Sequence, residues 1–132
     1  MKKVNIKCPY CGASAHLRPA SALGKTGTVY NGRRFYVCAR YPLCDSYVEA
    51  HKASGLPMGA LANKDLRRRR QEAHRAMERL WVQGYMTRSE AYRYIQTQMG
   101  LPPEDAHIGK FSEYRCDEVI RLCESFARAD AA

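Results

Sequence analysis

Cys8-Pro9-Tyr10-Cys11 and Cys38-Ala39-Arg40-Tyr41-Pro42-Leu43-Cys44 are the two stretches that decide how this chain folds. Their spacings are C-x2-C and C-x5-C, with 26 residues between the clusters. Four thiols in two short knuckles, separated by a hairpin-like segment, form one tetrahedral zinc site. A zinc ion held by four thiolates has no open position for water, so the expected metal, Zn2+, is a structural staple and not a hydrolytic centre. In a three-cysteine variant of the site, His16 or His51 would be the substitute ligand; nothing in the spacing requires one.

Working outward, the segment around the clusters is too small to bury much apolar surface, which gives the metal a thermodynamic purpose. The whole chain has 132 residues, 45% of them hydrophobic and 27% charged. No apolar run approaches the ~18 residues of a membrane span. Met1-Lys2-Lys3-Val4 leads into no apolar h-region, so a cytoplasmic protein is expected, with reduced thiols available for metal. The net charge is +9, and it is unevenly spread. Residues 1–62 carry nine Lys/Arg against Asp45 and Glu49, residues 63–79 seven against three, and residues 80–132 six against eight. A basic front of this kind suits a polyanion or an acidic protein surface.

The order of elements predicts an α+β chain: an N-terminal four-cysteine zinc ribbon of short antiparallel strands, then a small three-helix bundle. Residues 1–7 read as a lead-in or edge strand, and Ser14 to Arg18 as a strand. Pro19 to Gly27 is turn-rich. Thr28-Val29-Tyr30, Asn31-Gly32 and Arg33 to Val37 read as a hairpin closed by a tight I′ turn, whose second strand delivers Cys38 to the metal. Asp45 to Val48 returns as a short strand. The ribbon is assigned to 1–54 and a hinge to 55–62, where Gly55-Leu56-Pro57-Met58-Gly59 breaks regular structure.

The helical domain is assigned to 63–128. Asn63 is positioned as an N-cap, and Leu66, Ala73, Met77, Leu80 and Trp81 form an inward stripe ended by Gly84. Thr87-Arg88-Ser89-Glu90 is a capping box opening a second helix, with Ala91, Tyr92, Ile95 and Met99 inward and Gly100 past its end. Ser112 caps a third helix whose Cys116, Val119, Ile120, Cys123 and Phe126 share a face. Residues 129–132 are expected to fray.

Two resemblances are carried by these residues. Cys-Pro-Tyr-Cys-Gly with Cys-Ala-Arg-Tyr-Pro-Leu-Cys, over about residues 6–49, resembles the C-terminal zinc ribbons of bacterial type IA topoisomerases, which implies contact with single-stranded DNA. The cleavage domains of those enzymes have no counterpart here. Over more of the chain, the stretches 44–52, 55–62, 66–74, 80–92 and 107–111 resemble a small family of zinc-finger-containing proteins met in phage and prophage genomes. That resemblance implies the architecture, a phage-like origin and a host-cytoplasm setting.

The candidate nucleic-acid contacts interleave cations with aromatic faces: Lys7, Lys25, Arg33, Arg34, Tyr36, Arg40 and Tyr41 on the ribbon. Cations serve phosphates and rings stack bases. The alternative for this segment is a small core in which Phe35 and Val37 sit beside the zinc and Tyr36 covers the other side. On the first helix, Lys64, Arg67, Arg68 and Arg70 extend the basic surface, although four consecutive arginines sweep about 300° and cannot make one stripe. Trp81 and Tyr85 are candidate partner-binding residues for a second reading, a protein module that inhibits or redirects a host polymerase or defence nuclease. His74, His107, Cys116 and Cys123 could form a second metal site, but seven-residue spacing puts Cys116 and Cys123 among core positions. No Ser–His–Asp set, phosphate-binding glycine loop or paired-carboxylate motif is present, so no enzyme activity is expected.

Overall fold

Arg34–Cys38 is the central strand β2 of a small antiparallel sheet, flanked by β1 (Ala15–Pro19) and β3 (Tyr47–Glu49). The structure is a computed structural model and describes residues 5–131; the expected edge strand therefore lies partly outside the described residues. Within them, Lys7 bridges Ser14, and the Ala15 amide donates to the Ile6 carbonyl at 2.8 Å.

The run Phe35-Tyr36-Val37 suits extended backbone because aromatic and β-branched side chains pack well on a pleated surface. Both faces of β2 are buried. Phe35 and Val37 pack with Ala20, Leu23, Tyr30, Tyr41 and Tyr47, while Tyr36 and Cys38 pack with Cys8, Ala15, Ala50 and Leu61. The small core is thus divided in the opposite sense to the sequence alternative: Tyr36 sits on the cysteine side, and Phe35 and Val37 sit on the far side. The Tyr36 hydroxyl donates to the Gly55 carbonyl, which fixes the ring in the interior.

The expected hairpin is replaced by a longer connection. Leu17 pairs with Tyr36 and Ala15 with Cys38, so the partner of β2 is β1, across residues 20–33. Thr28–Tyr30 is a 3-10 turn rather than a strand. Asn31 at φ −59° and ψ 124°, followed by Gly32 at φ 74°, makes a type II turn closed by the Arg33 amide on the Tyr30 carbonyl at 3.0 Å. Type II, like I′, needs a positive φ that glycine supplies, so Asn-Gly marks the turn without fixing its type.

Residues 55–62 are built into the ribbon instead of forming a hinge. Ala50 bridges Pro57, Tyr47 bridges Ala62, and Leu61 and Ala62 are buried. The chain divides into two compact units between Asp65 and Leu66.

The second unit holds three helices: α1 (Lys64–Val82, whose first two residues belong to the first unit), α2 (Arg88–Met99) and α3 (Glu113–Ala131). Residues 129–131 therefore continue the helix, and Ala132 lies outside the described residues. The α2 capping box forms as expected, with the Thr87 side chain accepting from the Glu90 amide and the Glu90 carboxylate accepting from the Thr87 amide. Gly100 at φ 65° terminates the helix in the left-handed region. Ser112 accepts from the Arg115 amide at 3.3 Å ahead of α3. Leu66, Ala73, Ala76, Met77, Leu80, Ala91, Ile95, Cys116, Val119 and Cys123 are buried in this unit, together with Ala106, Ile108 and Phe111 from the α2–α3 connection.

Candidate metal centre and its surroundings

Each knuckle is a short turn that points its sulfurs inward. In the first, the Gly12 amide donates to the Cys8 carbonyl at 2.9 Å and the Cys8 amide to the Ala13 carbonyl at 2.7 Å. In the second, the Tyr41 amide donates to the Cys38 carbonyl at 2.9 Å and the Cys44 amide to the Arg40 carbonyl at 3.1 Å, around a cis Tyr41–Pro42 bond. Strand β2 carries Cys38 to the same place.

The four ligand atoms lie within 4.8 Å of one another. Cys8 and Cys44 sulfurs are 3.6 Å apart, and Cys11 and Cys38 sulfurs 3.4 Å. Four sulfurs at ~2.3 Å from a tetrahedral zinc stand about 3.8 Å from one another, so the set fits that ion. These separations are far beyond a disulfide length of about 2.05 Å. Cys8, Cys11, Cys38 and Cys44 therefore form the site of one structural zinc, and the donor set contains neither His16 nor His51.

The two buried thiols differ. Burial raises the Cys8 pKa, but hydrogen bonds from Ser46 and from the Tyr10 and Cys11 amides outweigh it and bring the group down to about 6. At Cys38 burial dominates and pushes the thiol up to about 12, against a hydrogen bond from the Arg40 amide. Zinc replaces both protons, so binding and deprotonation are coupled. Ser46 is fully buried, and the sequence reading missed it. A small polar residue two positions after the last cysteine was the only available signal.

The knuckles also hold the start of α1. Asp45 accepts from the Lys64 amide and the Tyr10 hydroxyl accepts from the Asn63 amide, both at 3.2 Å. A carboxylate at this place complements the positive end of the helix.

The expected nucleic-acid contacts separate into groups. On the sheet face opposite the cysteines, the Lys25 ammonium lies 5.6 Å from the ring centroids of both Tyr30 and Tyr47. The Arg33 guanidinium lies 4.9 Å from Tyr30 and 5.9 Å from Phe35 while forming a two-pronged pair with Glu49. Tyr41 packs on this face, and Arg40 beside it is exposed. Register adds two residues that were not among the expected nucleic-acid contacts: Arg18, opposite Phe35, and His16, opposite Val37, are both exposed. Tyr36 is buried and offers no face for stacking. Arg34 alternates to the Tyr36 side of β2, and Lys7 donates to the Ser14 hydroxyl at 3.0 Å.

On α1 the arginines largely serve their own unit. Arg70 donates to the Phe111 carbonyl at 3.1 Å, and Arg69 pairs with Glu72 at 3.0 Å and Asp117 at 3.3 Å. Arg68 is highly exposed and reaches Glu72 at 3.5 Å; Arg67 is half-buried, and Lys64 is exposed. Trp81 and Tyr85 are half-buried. Trp81 stacks on Tyr92 at 6.3 Å with Arg88 over both rings, and Tyr85 meets Phe126 edge-on at 6.2 Å.

Cys116 and Cys123 are core residues whose thiols burial pushes up to about 11 and about 12. His74 and His107 are exposed. Among the described residues, the four ribbon cysteines are the only group of three or more His, Cys, Asp or Glu placed to share a metal. No helix among them is long and apolar enough to cross a membrane.

Two cysteine knuckles closing one tetrahedral site are the mark of a zinc finger, and known families agree. The profile of a family of zinc-finger-containing domains matches residues 4–126. The chain belongs to that family. In this zinc-finger-containing domain the match spans both units, so the helices belong to the family's definition as much as the ribbon does. No curated protein and no solved structure gives a significant match.

Proposed function

We propose that this protein is a non-enzymatic accessory protein that binds single-stranded nucleic acid through the ribbon face opposite the zinc. One observation carries the reading: Tyr30, Tyr41 and Tyr47, all half-buried, share that face with Lys25 and Arg33, flanked by exposed Arg18 and Arg40. The exposed part of each ring offers a flat surface worth about 1–3 kcal/mol per stacked base, and the cations meet phosphates without needing a base code. Glu49 compensates Arg33, so Arg18, Lys25 and Arg40 are the main phosphate partners. The zinc holds this face in shape and takes no part in contact. The resemblance of the knuckles to topoisomerase ribbons supports single-stranded DNA as the ligand, and the resemblance to phage and prophage proteins supports a phage origin.

The test is the affinity of the zinc-loaded full chain for a labelled single-stranded oligonucleotide at rising salt. Three phosphate contacts give a log–log slope of about −2. Arg18→Glu with Arg40→Glu, both at exposed positions, should abolish binding while zinc remains bound. An affinity that is absent, or indifferent to salt, overturns the proposal.

One observation favours a second reading, the protein-binding module. Leu43 is 91% exposed at the tip of the second knuckle and Tyr10 is 46% exposed on the first. Tyrosines such as Tyr10 are common anchors of protein interfaces, and Leu43 would add apolar contact area. A stoichiometric protein partner captured from nuclease-treated host lysate, and lost in Leu43→Asp, would favour it.

A further inference from the structure

The geometry points to Ser46 as a positioning residue of the metal centre, whose hydroxyl donates a hydrogen bond to the Cys8 thiolate and strengthens the hold on zinc. The Ser46 Oγ lies 3.0 Å from the Cys8 Sγ and 3.5 Å from the Cys44 Sγ. A hydroxyl has one proton to give, and the shorter contact receives it. Once zinc has displaced the thiol protons, the sulfurs are acceptors only, which fixes Ser46 as the donor.

Three features separate this contact from incidental packing. Ser46 has no exposed surface, so its hydroxyl would incur a desolvation cost if it lacked a partner. Its backbone carbonyl accepts from the Cys38 amide at 3.1 Å. One residue therefore touches Cys8 in the first knuckle and both Cys38 and Cys44 in the second. Finally, four thiolates on one divalent cation leave a net charge of about −2 inside a small protein, and donors to sulfur disperse it. The Cys8 sulfur also receives the amides of Tyr10 and Cys11. Those amides come from its own knuckle. Ser46 brings a donor from the strand side, so its bond couples the first knuckle to the sheet.

The experiment uses the full chain with Ser46→Ala and Ser46→Thr. Zinc affinity is measured by chelator competition, and the sulfur-to-metal charge-transfer band is recorded after loading with cobalt(II). Removing the hydroxyl should weaken zinc by about 10–100-fold. It should also move the band to lower energy, because the thiolate lone pairs lose a stabilising proton; Ser46→Thr should restore the band position. Weaker binding with an unmoved band would mean that only packing was lost, and would overturn the assignment, as would unchanged affinity. A measurement on the unsubstituted chain does not depend on either variant folding. Loaded with cadmium-113, the Ser46 hydroxyl proton should exchange slowly and show scalar coupling to the metal, whereas fast exchange without coupling contradicts the hydrogen bond.

Discussion

The two units solve the same problem by different means. The ribbon builds a three-stranded sheet around Phe35, Tyr36 and Val37, with few large apolar side chains beyond them, and closes it with four cysteines. The helical unit has no metal-ligand cluster among its described residues and buries Met77, Leu80, Ile95, Phe111 and Val119 against one another. The first unit gains stability from a cross-link, buries Phe35 and Tyr36, and leaves Tyr30, Tyr41 and Tyr47 half-buried. In the second, Trp81, Tyr85, Tyr92 and Tyr94 pack against aromatic neighbours and Arg69 and Arg70 bond within the unit, while Tyr114 is exposed. On the proposed function, the rings and cations that a metal-held core leaves at the surface are the recognition elements.

Breaking the metal should separate the units most sharply. Cys38→Ser removes one ligand and leaves a buried hydroxyl in its place, so the ribbon should lose a structural-zinc contribution on the order of 10 kcal/mol. Sheet signals should disappear from a residue-resolved spectrum while helical ones persist. Phe111→Ala makes the reverse cut. It empties a fully buried site and removes packing next to the Arg70 contact, and should cost about 3–5 kcal/mol. Denaturant midpoints for helical signals should fall, with zinc affinity unchanged.

Thr87→Ala is milder. It deletes the α2 cap and should cost about 1 kcal/mol. The Glu90 half of that box titrates. Hydrogen bonds from the Thr87 backbone hold its carboxyl below the ordinary 4.5, so its contribution is complete above that pH and is lost as acid takes the pH down through the lowered value. A urea midpoint that falls on acidification in the parent and less in Glu90→Gln would check it. At the small end, Arg68→Ala should change stability by less than about 0.5 kcal/mol and leave oligonucleotide affinity intact, because an exposed pair with Glu72 contributes little.

What could be read from the sequence depended on range. The cysteine spacing, the Thr87–Glu90 box, the glycine stop at Gly100 and the Leu66–Leu80 stripe are local patterns with one physical solution each. The partner of β2 was not legible, because Asn31-Gly32 announces a turn without naming the strands it joins, and β1 reaches β2 across the whole 20–33 connection. Nor was the fate of 55–62: glycines and a proline read as a hinge, yet Leu61 and Ala62 fill the ribbon core. Tyr36 was read as a candidate nucleic-acid contact because strand alternation gives two faces without saying that both are covered. Arg18 and His16 were not read as members of this face for the same reason, since their place opposite Phe35 and Val37 exists only once the register is known.

The central claim is that recognition resides in the zinc-held unit, and a nuclear magnetic resonance footprint tests it most directly. A single-stranded oligonucleotide is titrated into the zinc-loaded, nitrogen-15-labelled full chain at low salt. Shifts are expected at Arg18, Lys25, Tyr30, Arg40, Tyr41 and Tyr47, reversing as salt is added, with the signals of residues 66–131 left in place. Shifts confined to the three helices, or none at all, would contradict the claim.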